Sequence, residues 1–358
     1  MALNLAGRAC RHYSKSMGSE SVAAVSRSSS RVAQVVFNVR QNLDSKRSSG
    51  GSLLLRSLAK LGYRGLLPAW NVVRKGKWVR GHVYGRDLVM PAEHPVLPTV
   101  ASFPLFNRPL GLAAAALPRT QKLLSIIDVG ANIGETVAVM EEMCPNKCIF
   151  LCIEPEHELA EFCRQNYAAN DRVIVQEAFV GERRDATVVV EDDGRANPAT
   201  KFCSDMSGQE LRTLDDVVSD FVDKHGVDLI KTDTEGFDLT ILRSGESVLR
   251  RYMPALYFEW YPDLLLRIDE RPESIFQFLR EFGYRHWLFF TARGELHCEL
   301  TEPTDRALAV LANVASSRSE IAYFDVFGAP NETVAHAFTD SYLRFSKDVM
   351  TNKEEPAL

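Results

Sequence analysis

From about residue 118 to residue 330, short apolar runs alternate with longer segments of helical period. Residues 123–129, 148–154, 173–178, 227–232 and 255–259 have the length and content of strands. Residues 136–143, 156–169, 214–224, 239–251 and 273–282 have the spacing of helices. An extra strand at 186–190 and a polar loop at 192–209 interrupt the alternation, and strands near 285–290 and 322–327 close it as an antiparallel pair. Strands alternating with helices of this length predict an α/β, doubly wound, mostly parallel sheet covered on both faces. The right-handed crossover rule leaves few alternative topologies.

Ahead of this domain (118–330), residues 53–117 read as a cap and lead-in. Residues 52–66 predict a short amphipathic helix with a basic side. Residues 77–89 predict a β-hairpin turning at Tyr84-Gly85-Arg86-Asp87. Pro91, Pro95, Pro98, Pro104 and Pro109 enforce an extended, turning path, and 110–117 is a helix leading into the first core strand. Residues 1–52 are rich in serine and arginine and poor in acids, with the composition of a disordered tail or a transit peptide; without a secretory pattern, the tail reading is preferred. Residues 331–358 are expected to be a C-terminal tail.

The chain has 358 residues, 46% of them apolar, which is enough for a full core. A formal net charge of −5 argues against a general nucleic-acid binder. No stretch reaches the roughly 18 uninterrupted apolar residues of a membrane span. Seven cysteines without a secretory signal predict free thiols in a reducing compartment, the cytoplasm. Cys144, Cys148, Cys152 and Cys163 lack the tight-turn spacing of a zinc site and are expected in the core.

The first core strand ends in Asp128-Val129-Gly130-Ala131-Asn132-Ile133-Gly134. Gly130 permits a tight turn with positive φ, and Gly134 permits close approach of a ligand. Ile133 stands where a dinucleotide loop has its middle glycine, and Asp128 would repel a phosphate, so a nicotinamide-dependent oxidoreductase is disfavoured. The loop suits a ligand with a positively charged amino-acid end, such as S-adenosylmethionine. The next strand ends in Glu154-Pro155, an acid placed to accept from both ribose hydroxyls. Asp128, Glu154, Glu177, Asp233 and Glu259 all fall at strand carboxyl ends, where ligands bind in such sheets. In Lys231-Thr232-Asp233-Thr234-Glu235-Gly236-Phe237-Asp238, alternation sends Lys231, Asp233 and Glu235 to one side. Lys231 there either forms a structural ion pair, tunes the acid as a base or orients a substrate hydroxyl.

In order and spacing, these segments, with Thr213-Leu214-Asp215-Asp216 and Pro254-Ala255-Leu256-Tyr257-Phe258-Glu259-Trp260, resemble the FkbM-type family of S-adenosylmethionine-dependent methyltransferases. The resemblance runs over about residues 78 to 328 and implies a Rossmann-like, seven-stranded class I methyltransferase fold. It implies that Asp128, Gly130, Asn132 and Gly134 belong to the loop around the methionine part of the cofactor. Glu154 would hold the ribose, and Glu177 and Ala178 would border the adenine. Asp233 and Glu235 would face the transferred methyl, with Lys231 as a further catalytic candidate, and the acceptor would be a hydroxyl of a small molecule, sugar or glycan. Asp233 is the first candidate for general base. Glu259 or Glu235 could instead hold Mg²⁺, and His94 and His157 are further candidates. The alternative reading is a catalytically inactive cofactor-binding scaffold or interaction module. Oligomeric state and acceptor are not legible at this level.

Overall fold

A strand covered by helices on both faces is buried along its length and mostly apolar, and Leu124–Val129, Cys148–Ile153, Leu229–Thr232 and Ala255–Trp260 in the middle of this chain are such strands. The computed structural model of the protein describes residues 34, 38–39, 77–118, 123–144, 147–182, 187–191, 199–203, 210–234, 236–315 and 320–351. The first elements are β1 (Trp78–Val83), β2 (Arg86–Pro91), α1 (Val96–Ser102) and α2 (Arg108–Ala116). Then come β3 (Leu124–Val129), α3 (Glu135–Met143), β4 (Cys148–Ile153), α4 (His157–Asn166) and β5 (Val173–Gln176). Short strands follow: β6 (Phe179–Val180), β7 (Thr187–Glu191), β8 (Ala199–Cys203) and β9 (Leu211–Arg212). Next are α5 (Leu214–His225), β10 (Leu229–Thr232), α6 (Asp238–Arg243), α7 (Glu246–Tyr252) and β11 (Ala255–Trp260). The last elements are α8 (Pro262–Arg267), α9 (Ser274–Arg280), β12 (His286–Thr291), β13 (Leu296–Thr301), α10 (Asp305–Val314), β14 (Phe324–Ala329) and α11 (Glu332–Thr351).

One sheet has eight strands in the order β13-β12-β14-β11-β10-β3-β4-β5. β11, β10, β3, β4 and β5 are parallel, whereas β14 is antiparallel to both β11 and β12, and β13 to β12. The class I, doubly wound fold is therefore present with one strand more than the expected seven. The missed strand, β13, has no fully buried position and alternates half-buried with exposed residues, so it carries little apolar signal. Strand order reverses between β3 and β10, and a crevice opens at their carboxyl ends.

Other expectations need correction. The predicted helix 239–251 divides into α6 and α7 at Ser244-Gly245, where α5 begins to pack. Ser244 Oγ accepts from Leu214 N at 2.9 Å, and a Cβ on Gly245 would lie 2.7 Å from Leu214 Cδ2. The polar loop 192–209 contains β8, which pairs antiparallel with β7. The C-terminal segment is not simply a tail: α11 buries Val334, Ala335, Phe338 and Tyr342 against α2, β12 and β14. The predicted helix 52–66 lies outside the described residues, as does most of 1–52. Gln34, within that segment, is helical, and its amide accepts from Arg80 N at 2.7 Å and donates to Arg80 O at 2.9 Å. The described cysteines are free thiols, with Cys144, Cys148, Cys152 and Cys163 buried.

The cap is part of the core. Its hairpin turns at Tyr84 and Gly85 with φ of 49° and 69°, the double positive φ of a two-residue hairpin. Val83, Leu88 and Met90 share one apolar cluster with Val137 and Met140 of α3 and Phe338 of α11. A second cluster fills the opposite face between the sheet and α5, α6, α7 and α9. No described helix is long and apolar enough to cross a membrane.

Phe338 is fully buried, with its ring 4.5 Å from that of Phe327 and 5.5 Å from that of Phe290. Phe338→Ala is expected to destabilise the fold by about 3–5 kcal/mol, read as a lower urea midpoint at unchanged slope. A midpoint equal to wild type would show that α11 is dispensable to the core.

Candidate active site

The loop between β3 and α3 is shaped by backbone that other residues adopt poorly. Gly130 has φ 76°, and a Cβ there would sit 2.2 Å from the Asp233 carbonyl oxygen, so the loops after β3 and β10 pack backbone against backbone. Asn132 also has positive φ, 52°, which asparagine tolerates. Its Oδ1 accepts from Ile133 N at 2.9 Å and faces His94 Nε2 at 3.0 Å. Because His94 Nδ1 accepts from Val96 N at 3.3 Å, Nε2 carries the ring proton and donates to Asn132. Burial pushes the His94 pKa down to about 4, so the ring is neutral, and both nitrogens are engaged. His94 thus ties the cap to the loop and is no base.

Glu154, at the end of β4, holds the same loop. Its Oε2 accepts from Asn132 N at 2.8 Å and its Oε1 from Glu156 N at 3.0 Å. Burial pushes its pKa up to about 7, against the lowering effect of these two donors and of Lys231. Asn166 of α4 adds a clamp, accepting from Val89 N at 2.7 Å and donating to the carbonyls of Val89 and Ile133 at 2.9 and 3.0 Å. Cap, loop and α4 are therefore one hydrogen-bonded unit.

Lys231 of β10 is enclosed, its side chain 3% exposed. Its Nζ lies 3.0 Å from Asp128 Oδ1, donates to Gly130 O at 2.8 Å and lies 3.8 Å from Asp233 Oδ2. The Asp128 approach is an ion contact outside hydrogen-bond alignment, while Thr136 Oγ1 donates to the other Asp128 oxygen. Burial alone would lower the Lys231 pKa, but Asp128 and Asp233 outweigh it and raise the value. The following turn is held by Asp238, which accepts from Thr232 Oγ1 at 2.5 Å and Thr234 Oγ1 at 3.2 Å. Asp233, between them, stays 55% exposed.

A cavity of about 540 Å³ lies over these strand ends. Gly130, Asn132, Glu154, Ala178 and Asp233 line it, so the structure brings these predicted residues together. Asp128, Gly134 and Lys231 stand behind the lining: Asp128 and Lys231 pair with each other, and Gly134 begins α3 in a left-handed conformation. Glu177, expected beside an adenine, is taken by α4 instead, facing His157 Nδ1 at 2.9 Å and accepting from Arg164 at 2.6 Å. His157 is exposed in that same cluster. Glu235 lies outside the described residues. Glu259 reaches the cavity from β11.

Sequence reasoning missed Glu135, Arg293, Tyr323 and Asp325, which also line the cavity. Burial pushes Glu135 up to about 8 and Asp325 well above the usual carboxylate range. An acid inside the apolar run Phe324-Asp325-Val326-Phe327 was a readable signal; Glu135 passes as an ordinary acid at a helix start. A wider open groove of about 640 Å³, lined by Thr213, Asp215, Arg243 and Arg250 among others, holds none of these groups.

Residues 128–286 match the model of the methyltransferase FkbM domain family. No curated protein matches the chain. Among solved structures, methyltransferase FkbM from Methylobacillus flagellatus KT is 13% identical with a TM-score of 0.37, covering 84% of this chain but 60% of that one. A SAM-dependent methyltransferase from Aquifex aeolicus is 12% identical with a TM-score of 0.33, covering 66% of this chain and 93% of that one. The N-terminal domain of human METTL16 in complex with SAH is 11% identical with a TM-score of 0.33, covering 70% of this chain and 77% of that one. At these TM-scores the family match, not the superpositions, carries the assignment. The chain carries, over residues 128–286, a methyltransferase domain of the S-adenosylmethionine-dependent FkbM family.

Proposed function

We propose that the protein is an O-methyltransferase that moves a methyl group from S-adenosylmethionine to a hydroxyl of a small molecule, sugar or glycan. The observation that carries this reading is Asp233, a half-exposed carboxylate at the end of β10 that lines the cavity beside the Gly130 loop. The cavity's chemistry suits the donor. Glu154 offers acceptor oxygens to a ribose, Ala178 and Phe179 give an apolar wall, and acids face a cationic ligand. S-adenosylmethionine, when bound, supplies an electrophilic methyl that needs no further activation.

What remains for the protein is to position an oxygen nucleophile in line and take its proton. Asp233 accepts that proton from the acceptor hydroxyl as the new carbon–oxygen bond forms. Lys231 is a positioning residue, enclosed behind Asp233 and holding the Gly130 carbonyl. Phe103 and Phe106, with His94, wall the cavity from the cap side and exclude water from the reacting oxygen. Asp233 and Glu154 both stand in the cavity, which supports an enzyme over an inactive scaffold. The free thiols support a reducing, cytoplasmic setting.

Nothing among the described residues supports Mg²⁺ in this cavity, and Glu235, one candidate ligand, lies outside them. Among the described residues the one cluster of metal-ligating groups is His157, Glu161 and Glu177, on the exposed side of α4 and already salt-bridged by Arg164. The described cavity acids form no group of three whose oxygens converge on one point.

Asp233→Asn should reduce turnover on the order of 10²- to 10⁴-fold while calorimetric affinity for S-adenosylmethionine stays near wild type. Full turnover in this variant would remove Asp233 as the base. Chelation with EDTA should leave the rate unchanged, and a rate restored only by added Mg²⁺ would reverse the metal conclusion. Lys231→Met leaves Asp128 buried without its cation and is expected to destabilise the fold by about 3–5 kcal/mol in urea unfolding.

A further inference from the structure

Glu135 is a cavity acid that neither the strand-end pattern nor the family resemblance places in the site. It is the first residue of α3, directly after Gly134, and it lines the cavity. Its Oε2 is enclosed and meets no hydrogen-bond partner. The titratable groups that face it are Lys231 of β10, Asp128 of β3, Asp233 beyond β10 and the Tyr84 hydroxyl in the hairpin turn. Lys231 does not neutralise it, being committed to Asp128 and the Gly130 carbonyl. Tyr84 is spoken for as well, donating to Phe106 O at 2.7 Å.

An enclosed carboxyl oxygen without a partner is unfavourable unless a ligand completes it. Burial pushes the Glu135 pKa up to about 8; its own backbone N–H and Lys231 lower it, and Asp128 and Asp233 raise it further. At neutral pH it is therefore mostly protonated. S-adenosylmethionine and S-adenosylhomocysteine differ by one methyl and one positive charge at sulfur; their α-amino and carboxyl groups are the same. A residue that senses charge at sulfur can tell donor from product, and a residue that reads the amino group cannot.

We propose that Glu135 reads the charge of the methyl donor: it ionises when the cationic donor binds and stays protonated with the neutral product. The balance is simple. Glu135 releases its proton to solvent as the sulfonium arrives, and the carboxylate and sulfonium then neutralise one another. After transfer the sulfur is a neutral thioether, Glu135 regains a proton from solvent, and the acceptor's hydroxyl proton resides on Asp233. The carboxylate's attraction is thus spent on the donor and withdrawn from the product, which favours exchange of one for the other. This inference rests on S-adenosylmethionine being the donor and is independent of the acceptor.

The test is calorimetry of the full chain with each ligand, without acceptor, in buffers of differing ionisation enthalpy at pH 7. Wild type should release about one more proton with S-adenosylmethionine than with S-adenosylhomocysteine. Any proton that Glu154 releases on meeting a ribose appears with both ligands and cancels in the difference. Glu135→Gln should abolish the difference, leave affinity for S-adenosylhomocysteine near wild type and weaken binding of the donor. In wild type alone, the donor-to-product affinity ratio should fall about tenfold from pH 7 to pH 6 and level off above about pH 8, since ionisation of Glu135 is required for the ion pair. That series decides the matter even if the variant does not fold. Equal proton release for the two ligands, an unchanged ratio across pH, or a difference that survives Glu135→Gln would overturn the proposal. Failure of both ligands to bind wild type would instead overturn the donor assignment itself.

Discussion

Lys231 is an ammonium group placed where water cannot reach it, and the geometry of the site follows from how that charge is satisfied. Burial of an isolated lysine would drive off its proton. Here Asp128 lies on the neighbouring strand, the Gly130 carbonyl accepts directly, and Asp233 stands at the end of the same strand. These contacts span the place where the strand order reverses, which is where the sheet's own ladder ends and the two loops diverge. A salt bridge of this kind adds little net stability, because desolvation offsets most of the attraction. Its contribution is positional: it fixes the Gly130 loop against the Asp233 turn.

The close approach of those two loops explains why a glycine is required after β3. A side chain at position 130 would meet the Asp233 carbonyl, so any substitution would push the turn carrying Asp233 away from the cavity. The loop is then secured from its other side by Glu154, His94 and Asn166. Through those residues the cap is tied to the same backbone that shapes the cavity, and its apolar residues share a cluster with α3 and α11. Cap and sheet pack as a single unit around the strand ends.

Acidic residues dominate the cavity lining: Glu135, Glu154, Glu156, Asp233, Glu259 and Asp325 stand there with one arginine, Arg293. Burial raises the pKa values of Glu135 and Asp325, and nearby acids, Asp233 in both cases, raise them further. Such a group contributes stability in its protonated form and loses it as pH rises through the folded-state value. For Glu135 and Glu154, raised to about 8 and about 7, that loss falls between roughly pH 4.5 and 8. A cationic ligand in the cavity would offset this cost.

The sequence by itself determined the elements of the parallel core, the tight glycine turn after β3 and the presence of acids at the strand carboxyl ends. These are legible because strand runs, glycines with positive φ and the acid that follows a strand are set by chemistry within a few residues. The hairpin turn at Tyr84-Gly85 was legible for the same reason. Only the tertiary structure decided which acids reach the cavity. Glu177 was captured by His157 and Arg164 of α4, and Lys231 was enclosed by Asp128 from a strand distant in sequence. Glu135 and Asp325 came forward from a helix start and an antiparallel strand that local pattern does not distinguish from ordinary positions. The edge strand β13 and the packed helix α11 were hidden too, because weak or helical amphipathicity says nothing of what it packs against. Side-chain direction and the neighbours brought by chain crossover are properties of the assembled sheet, and no window along the sequence contains them.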